Sequence, residues 1–175
     1  MTTAKKTAAK KTPATAKAAQ TDATALLTRD HADVKKLFKE YEKLADAEAD
    51  GEERQALAEQ ICDMLTVHAT IEEEIFYPAA REAEVESDLL DEAEVEHASA
   101  KDLIAQIKAM GPDEELYDAK VKVLGEYVKH HVNEEEGELF PKLREAEDFD
   151  VEALGDQIAQ RKQELREEFE EQLTS

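Results

Sequence analysis

Two phrases of this chain recur in the order A-B-A′-B′, and that duplication leaves few folds open. The longer phrase is His68-Ala-Thr-Ile-Glu72-Glu73-Glu74-Ile-Phe-Tyr77-Pro78-Ala-Ala-Arg81-Glu82-Ala83-Glu84. It returns as His131-Val-Asn-Glu-Glu135-Glu136-Gly137-Glu-Leu-Phe140-Pro141-Lys-Leu-Arg144-Glu145-Ala146-Glu147. His-x3-Glu alone carries little weight among so many acidic residues. The chain has only four Pro, however, and two of them stand ten residues after such a His. The shorter phrase, Asp30-His31-Ala32-x2-Lys35-x-Leu37, returns as Glu96-His97-Ala98-x2-Lys101-x-Leu103. His31 and His97 are 66 residues apart, and His68 and His131 are 63 apart. Such a pattern predicts two helical hairpins, each with one lone His and one His-x3-Glu, related by a pseudo-twofold axis.

The hydrophobic period agrees. Leu27, His31, Val34, Phe38 and Tyr41 form one stripe, and Leu57, Ile61, Leu65, His68, Glu72 and Ile75 form a second. Leu90, Ala93, His97, Ala100, Ile104 and Ile107 form a third, and Leu124, Val128, His131, Glu135 and Leu139 a fourth. These stripes predict helices over about 21–44, 52–84 and 113–146 and a third, capped by Ser87, that runs past Ile107 and stops at Gly111-Pro112, with Pro78 bending the second or marking its last turns. Gly and Pro are scarce and aromatics are 5% of 175 residues, as in all-α proteins. The fold class read here is an antiparallel up-down-up-down four-helix bundle over residues 21–148. A C-terminal amphipathic helix follows within 149–175, carrying Val151, Leu154, Ile158, Leu165 and Phe169. It could cap the bundle or make a homo-oligomer contact.

Residues 1–20 are Lys, Ala and Thr-rich, with no bulky apolar residue after Met1, and read as a disordered tail. Net charge is −22, and since the tail holds five Lys and no acid, residues 21–175 carry −27. That body disfavours nucleic acid and anionic membrane, leaving weak polyanion contact to the basic tail. No apolar run is long enough to span a bilayer. The single Cys, Cys62, excludes an internal disulfide and suits a reducing, cytoplasmic setting.

His31, His68, Glu72, His97, His131 and Glu135 all interrupt apolar stripes. A carboxylate turned into a bundle core is costly unless paired or metal-bound. Two of them with four imidazoles call for a cation. Six ligands are too many for one tetrahedral zinc, and mixed imidazole and carboxylate donors suit two non-haem iron ions, with manganese or zinc as alternatives. The adjacent His130 also heads a His-x3-Glu. The stripe and the spacing to Pro141 favour His131.

The pattern His31 … His68-x3-Glu72 … His97 … His131-x3-Glu135, with its Glu-Glu and Pro continuation, resembles the hemerythrin-like (HHE cation-binding) domain over about residues 22–148. The resemblance implies a di-iron centre that binds O2, NO or peroxide, in sensing or in responses to oxidative stress. An enzyme that decomposes peroxide or oxidises ferrous iron is the alternative, and a vestigial site the third reading. It is to the bacterial four-His, two-Glu subclass. Oxygen-carrying hemerythrins have a fifth His where Lys101 stands and an Asp where Glu136 stands.

Overall fold

The computed structural model describes residues 22–174. The expectation of a disordered tail over 1–20 lies outside them. Helix α1 is Ala23–Asp46 and α2 is Gly51–Ile71. The second helix continues through a π turn, Glu72–Phe76, into α3, Tyr77–Glu82. Helix α4 is Ser87–Ala109 and α5 is Tyr117–Glu134, which runs through a second π turn, Glu135–Leu139, into α6, Phe140–Glu145. Helix α7 is Val151–Thr174. The described residues form helices, turns and bends, with no strand. Hairpins α1/α2 and α4/α5 pack side by side, α1 against α5 and α2 against α4.

Local chemistry sets the helix starts. Asp22 accepts from the Ala25 amide at 3.1 Å, and Asp50 from the Glu52 amide at 2.8 Å. Asp150 takes both the Glu152 and Ala153 amides. Each satisfies donors that the first helical turn leaves free.

Two expected boundaries change. Ser87 is the first helical residue and not the cap. Glu86 holds the cap position in a left-handed conformation (φ 49°), as does Glu84 (φ 54°), because the link between hairpins reverses within four residues. The fourth bundle helix begins at Tyr117 and not near Asp113. There, Glu114 accepts from the Gly111 amide at 2.7 Å, and its carbonyl accepts from Tyr117, so the chain spends those residues in turns.

Pro78 and Pro141 each stand just after a π turn, and the helix resumes through them. Proline lacks an N–H, and its ring crowds the carbonyl four residues back. Widening the preceding turn relieves both. The Tyr77 amide accordingly bonds the Glu72 carbonyl and Phe140 that of Glu135, five residues apart.

The interior divides in two. One apolar cluster centres on Leu27, Ile71, Phe76, Leu90, Leu139, Phe140 and Leu143. The other centres on Val34, Tyr41, Ile61, Leu65, Ile104, Tyr117 and Leu124. The polar interruptions of the stripes lie between them. Helix α7 packs along α1, α2 and the first π turn, burying Ile158 and Leu165 in the first cluster. It therefore covers a flank of its own bundle.

Candidate metal centre

All six sequence-derived candidates are buried, none more than 8% exposed. Helix α1 brings His31, α2 His68, α4 His97 and α5 His131, while Glu72 and Glu135 open the two π turns. They meet as two half-centres. In the first, His31 Nε2 lies 3.2 Å from His68 Nε2 and 3.2 Å from Glu135 Oε2, and His68 Nε2 lies 3.0 Å from Glu72 Oε1. In the second, His97 Nε2 lies 3.2 Å from His131 Nε2 and 3.2 Å from Glu72 Oε2, while His131 Nε2 lies 3.6 Å from Glu135 Oε1. Each glutamate thus gives one oxygen to each half. A carboxylate that spans two positions in this way can bridge two ions.

The other face of every imidazole is held. His31 Nδ1 donates to Glu136 at 2.8 Å, His97 Nδ1 to Glu73 at 3.0 Å, and His131 Nδ1 to Glu96 at 2.7 Å. His68 Nδ1 donates to Asp30 at a longer 3.5 Å. An ionised carboxylate cannot donate, so in the neutral imidazole the proton sits on Nδ1 and the Nε2 lone pair faces the centre. This arrangement orients metal-ligating histidines and raises their basicity. It obeys the duplication. The acid before each lone His (Asp30, Glu96) holds the His of the same hairpin's His-x3-Glu. The acid after each inward Glu (Glu73, Glu136) holds the lone His of the other hairpin. Glu136, at the place of the carriers' Asp, thus turns to His31 and away from the half-centres.

These four carboxylates were not foreseen, although the repeated Asp/Glu-His and Glu-Glu dipeptides were their signal. Tyr77 was also missed. Its hydroxyl donates to Glu135 Oε1 at 2.7 Å and lies 3.4 Å from Glu72 Oε2 and 3.3 Å from both His97 and His131 Nε2. Residues five apart on an α-helix point about 140° apart. The π turn stacks Tyr77 one turn after Glu72 and brings the phenol onto the same face. Its repeat counterpart, Phe140, stacks on His31 with ring centroids 5.9 Å apart. One half-centre therefore has a phenol and the other a bare ring.

The residues fit a cation on two observations. Glu72 Oε1 and Glu135 Oε2 are buried with no hydrogen-bond donor outside the centre, facing only His68 Nε2 at 3.0 Å and His31 Nε2 at 3.2 Å, and both belong to the Phe140 half. Such orphans are rare unless something else satisfies them. Secondly, the donor set is four imidazoles and two carboxylates, with the atoms in each of two groups within 4.8 Å of one another.

Charge compensates in the metal-free protein. Burial pushes the His68 imidazole down, but Glu72, Asp30 and Glu135 outweigh it and raise it to about 10. His131 is likewise raised to about 9, burial opposed by Glu135, Glu96 and Glu72. Glu72 stays well below the usual carboxylate range, the pull of His68 and His97 exceeding burial. Burial, then Glu72 and Glu135, push the Tyr77 phenol well up, so it keeps its proton.

The sign for stability follows. A histidine raised above its ordinary 6.5 stabilises the fold fully below that pH, and the contribution is lost as pH rises through about 9 to 10. Metal-free protein should therefore lose thermal stability across that interval. The metal-loaded form, whose imidazoles are already neutral, should lose less. Melting midpoints of both forms from pH 7 to 10.5 check this, and parallel curves would contradict it.

His130, one residue from His131, points outward. It is 66% exposed and pairs with Glu134 at 3.2 Å and Glu96 at 3.3 Å. Cys62 is buried, and burial raises its thiol to about 11, consistent with packing. None of the described helices is long and apolar enough to cross a membrane.

The family model described as Hemerythrin HHE cation binding domain matches residues 22–143. A curated protein from Nostoc sp. (strain PCC 7120 / SAG 25.82 / UTEX 2576), described as a DNA nickase, is 34% identical over 119 residues. That alignment takes in 68% of this chain and 32% of the Nostoc protein, so the chain spans about a third of that relative. The fold is similar to the crystal structure of a hemerythrin HHE cation-binding domain-containing protein from Mycobacterium kansasii. The TM-score is 0.71 at 24% identity, covering 88% of this chain and 93% of the other.

Proposed function

The chain belongs to the hemerythrin HHE cation-binding domain family, and from that premise we propose that it is a non-haem di-iron protein whose centre binds O2, NO or peroxide, in sensing or in a stress response. His31, His68, Glu72, His97, His131 and Glu135 are the proposed ligands. The observation that carries the reading is that both buried glutamates span the two half-centres, with one oxygen of each facing nothing but an imidazole Nε2 of the centre. Mixed imidazole and carboxylate donors with open positions favour iron, with manganese or zinc as the competing ions. Bound iron would supply ferrous–ferric redox chemistry and affinity for small ligands.

The protein's own residues do the rest. The four Nδ1–carboxylate pairs fix the imidazoles and keep their Nε2 atoms inward. Val34, Leu65, Ile104 and Val128 wall a cavity of about 50 Å³ against the imidazoles. That leaves room for a small molecule, since about 10–15 Å³ of such space suffices for a water. Its apolar side chains favour a neutral diatomic. A second reading, peroxide decomposition or ferrous-iron oxidation, is favoured by Tyr77, a phenol that holds its proton at 2.7 Å from Glu135.

The nickase activity named for the Nostoc relative is not extended to this chain. Residues 21–175 carry −27, which repels a phosphate backbone. The buried thiol is compatible with a reducing cytoplasm.

Anaerobic loading with ferrous iron, desalting and elemental analysis should give two ions per chain. Difference spectra on adding O2, NO and peroxide then test ligand binding, and peroxide consumption separates turnover from binding. Loading below one ion per chain, with manganese and zinc equally refused, would overturn the proposal.

Tyr77→Phe gives both halves a bare ring at this position. It should keep two irons yet alter the spectrum of the oxidised protein and its response to peroxide. Spectra that superimpose on wild type would show that the phenol has no part in the centre.

A further inference from the structure

Helix α7 lies beyond residues 22–143, the segment matched by the family model, yet it touches the centre's support. Lys162 on α7 forms an ion pair with Asp30 Oδ1, and Asp30 Oδ2 accepts from His68 Nδ1. Three helices are linked in that path: α7, α1 and α2.

The four imidazole-holding carboxylates are not equally supported. Glu73, Glu96 and Glu136 have side chains 34%, 24% and 36% exposed, so water can hold them. Asp30 is 7% exposed. It is also one methylene shorter than its repeat counterpart Glu96, and its bond to His68 is the longest of the four. A buried carboxylate with few partners depends heavily on each one, and removing one is costly. The His68 anchor is therefore the weakest, and the one that leans on a residue outside the duplicated bundle.

We propose that Lys162 is a positioning residue which, through Asp30, sets the orientation of His68, so that docking of the C-terminal helix governs metal retention in the His31/His68 half of the centre. The proposal rests on the metal-binding reading above. Without Lys162, Asp30 is free to turn toward water and His68 to lose its fixed orientation. Losses of this kind typically cost about 10–100-fold in metal affinity.

The experiment compares full-length wild type, Lys162→Met, Lys162→Arg and Arg161→Met. Arg161 serves as control because it ties the same helix to exposed Glu74, which holds no imidazole. In metal-free protein, ring nitrogen NMR should show the His68 signals displaced in Lys162→Met, with those of His97 and His131 unmoved. In iron-loaded protein, a strong chelator should withdraw one of the two ions at least about tenfold faster from Lys162→Met than from wild type. Lys162→Arg should restore both readouts and Arg161→Met should change neither. Unmoved His68 signals in a folded Lys162→Met protein would overturn the proposal, as would equal acceleration by Arg161→Met. A wild type that takes up no metal would defeat the proposed function, while the metal-free spectra would still decide the Lys162–Asp30–His68 path.

Discussion

His131→Ala should leave the protein with at most one iron per chain, whereas His130→Ala should keep two with an unchanged spectrum. The two residues are neighbours on α5, and successive helical side chains point about 100° apart. His131 is 8% exposed with Nε2 among His97, Glu72 and Glu135, while the His130 side chain is 66% exposed beside Glu134 and Glu96. Removing the first takes a donor from the half that His97 shares. It also frees Glu96, whose other oxygen faces His130. An affinity loss well beyond about 100-fold follows, because outer-shell partners alone are worth 10–100-fold. Elemental analysis of both variants after anaerobic loading checks this. Loss of iron from His130→Ala with retention in His131→Ala would mean that the inward face of α5 does not bind the ions.

Metal should raise the melting midpoint at neutral pH by several degrees. A ligand that binds only the folded state, at 100 times its dissociation constant, adds about 2.7 kcal/mol. For a chain of this length that is roughly 5–10 °C, at about 2–4 °C per kcal/mol. Two tightly held ions should give more. The gain is tempered by what the metal-free protein already does. Glu72 is not left facing Glu135 alone, because His68 and His97 stand 3.0 and 3.2 Å from its oxygens and His68 is raised to about 10. Metal therefore replaces protons and does not merely relieve bare repulsion. Equal midpoints for metal-free and iron-loaded protein would mean that the ions do not bind at this buried centre.

The duplication and the helical period were enough to specify a four-helix bundle, to assign six inward polar residues to its core and to turn His131 inward in place of His130. The reason is local: on a helix, spacing alone sets which face a side chain takes. The proline spacing marked a disturbance of the second helix, expected as a bend or an end, but that it takes the form of a π turn came only from the fold. The imidazole supports were a different matter. Asp30 reaches His68, Glu96 reaches His131, Glu73 reaches His97 and Glu136 reaches His31, each between helices. Whether two such side chains meet depends on the rotation and height of separate helices. Those are set by how the two apolar clusters pack, and sequence spacing carries no record of them. Tyr77 entered the centre for the same reason. The repeat shows Tyr opposite Phe140, but only the packed π turn puts that hydroxyl among His97, His131, Glu72 and Glu135. Helix α7 is the extreme case. Its amphipathic stripe was plain, yet that its Lys162 meets a carboxylate 132 positions earlier in the chain could be decided only by where the helix docks.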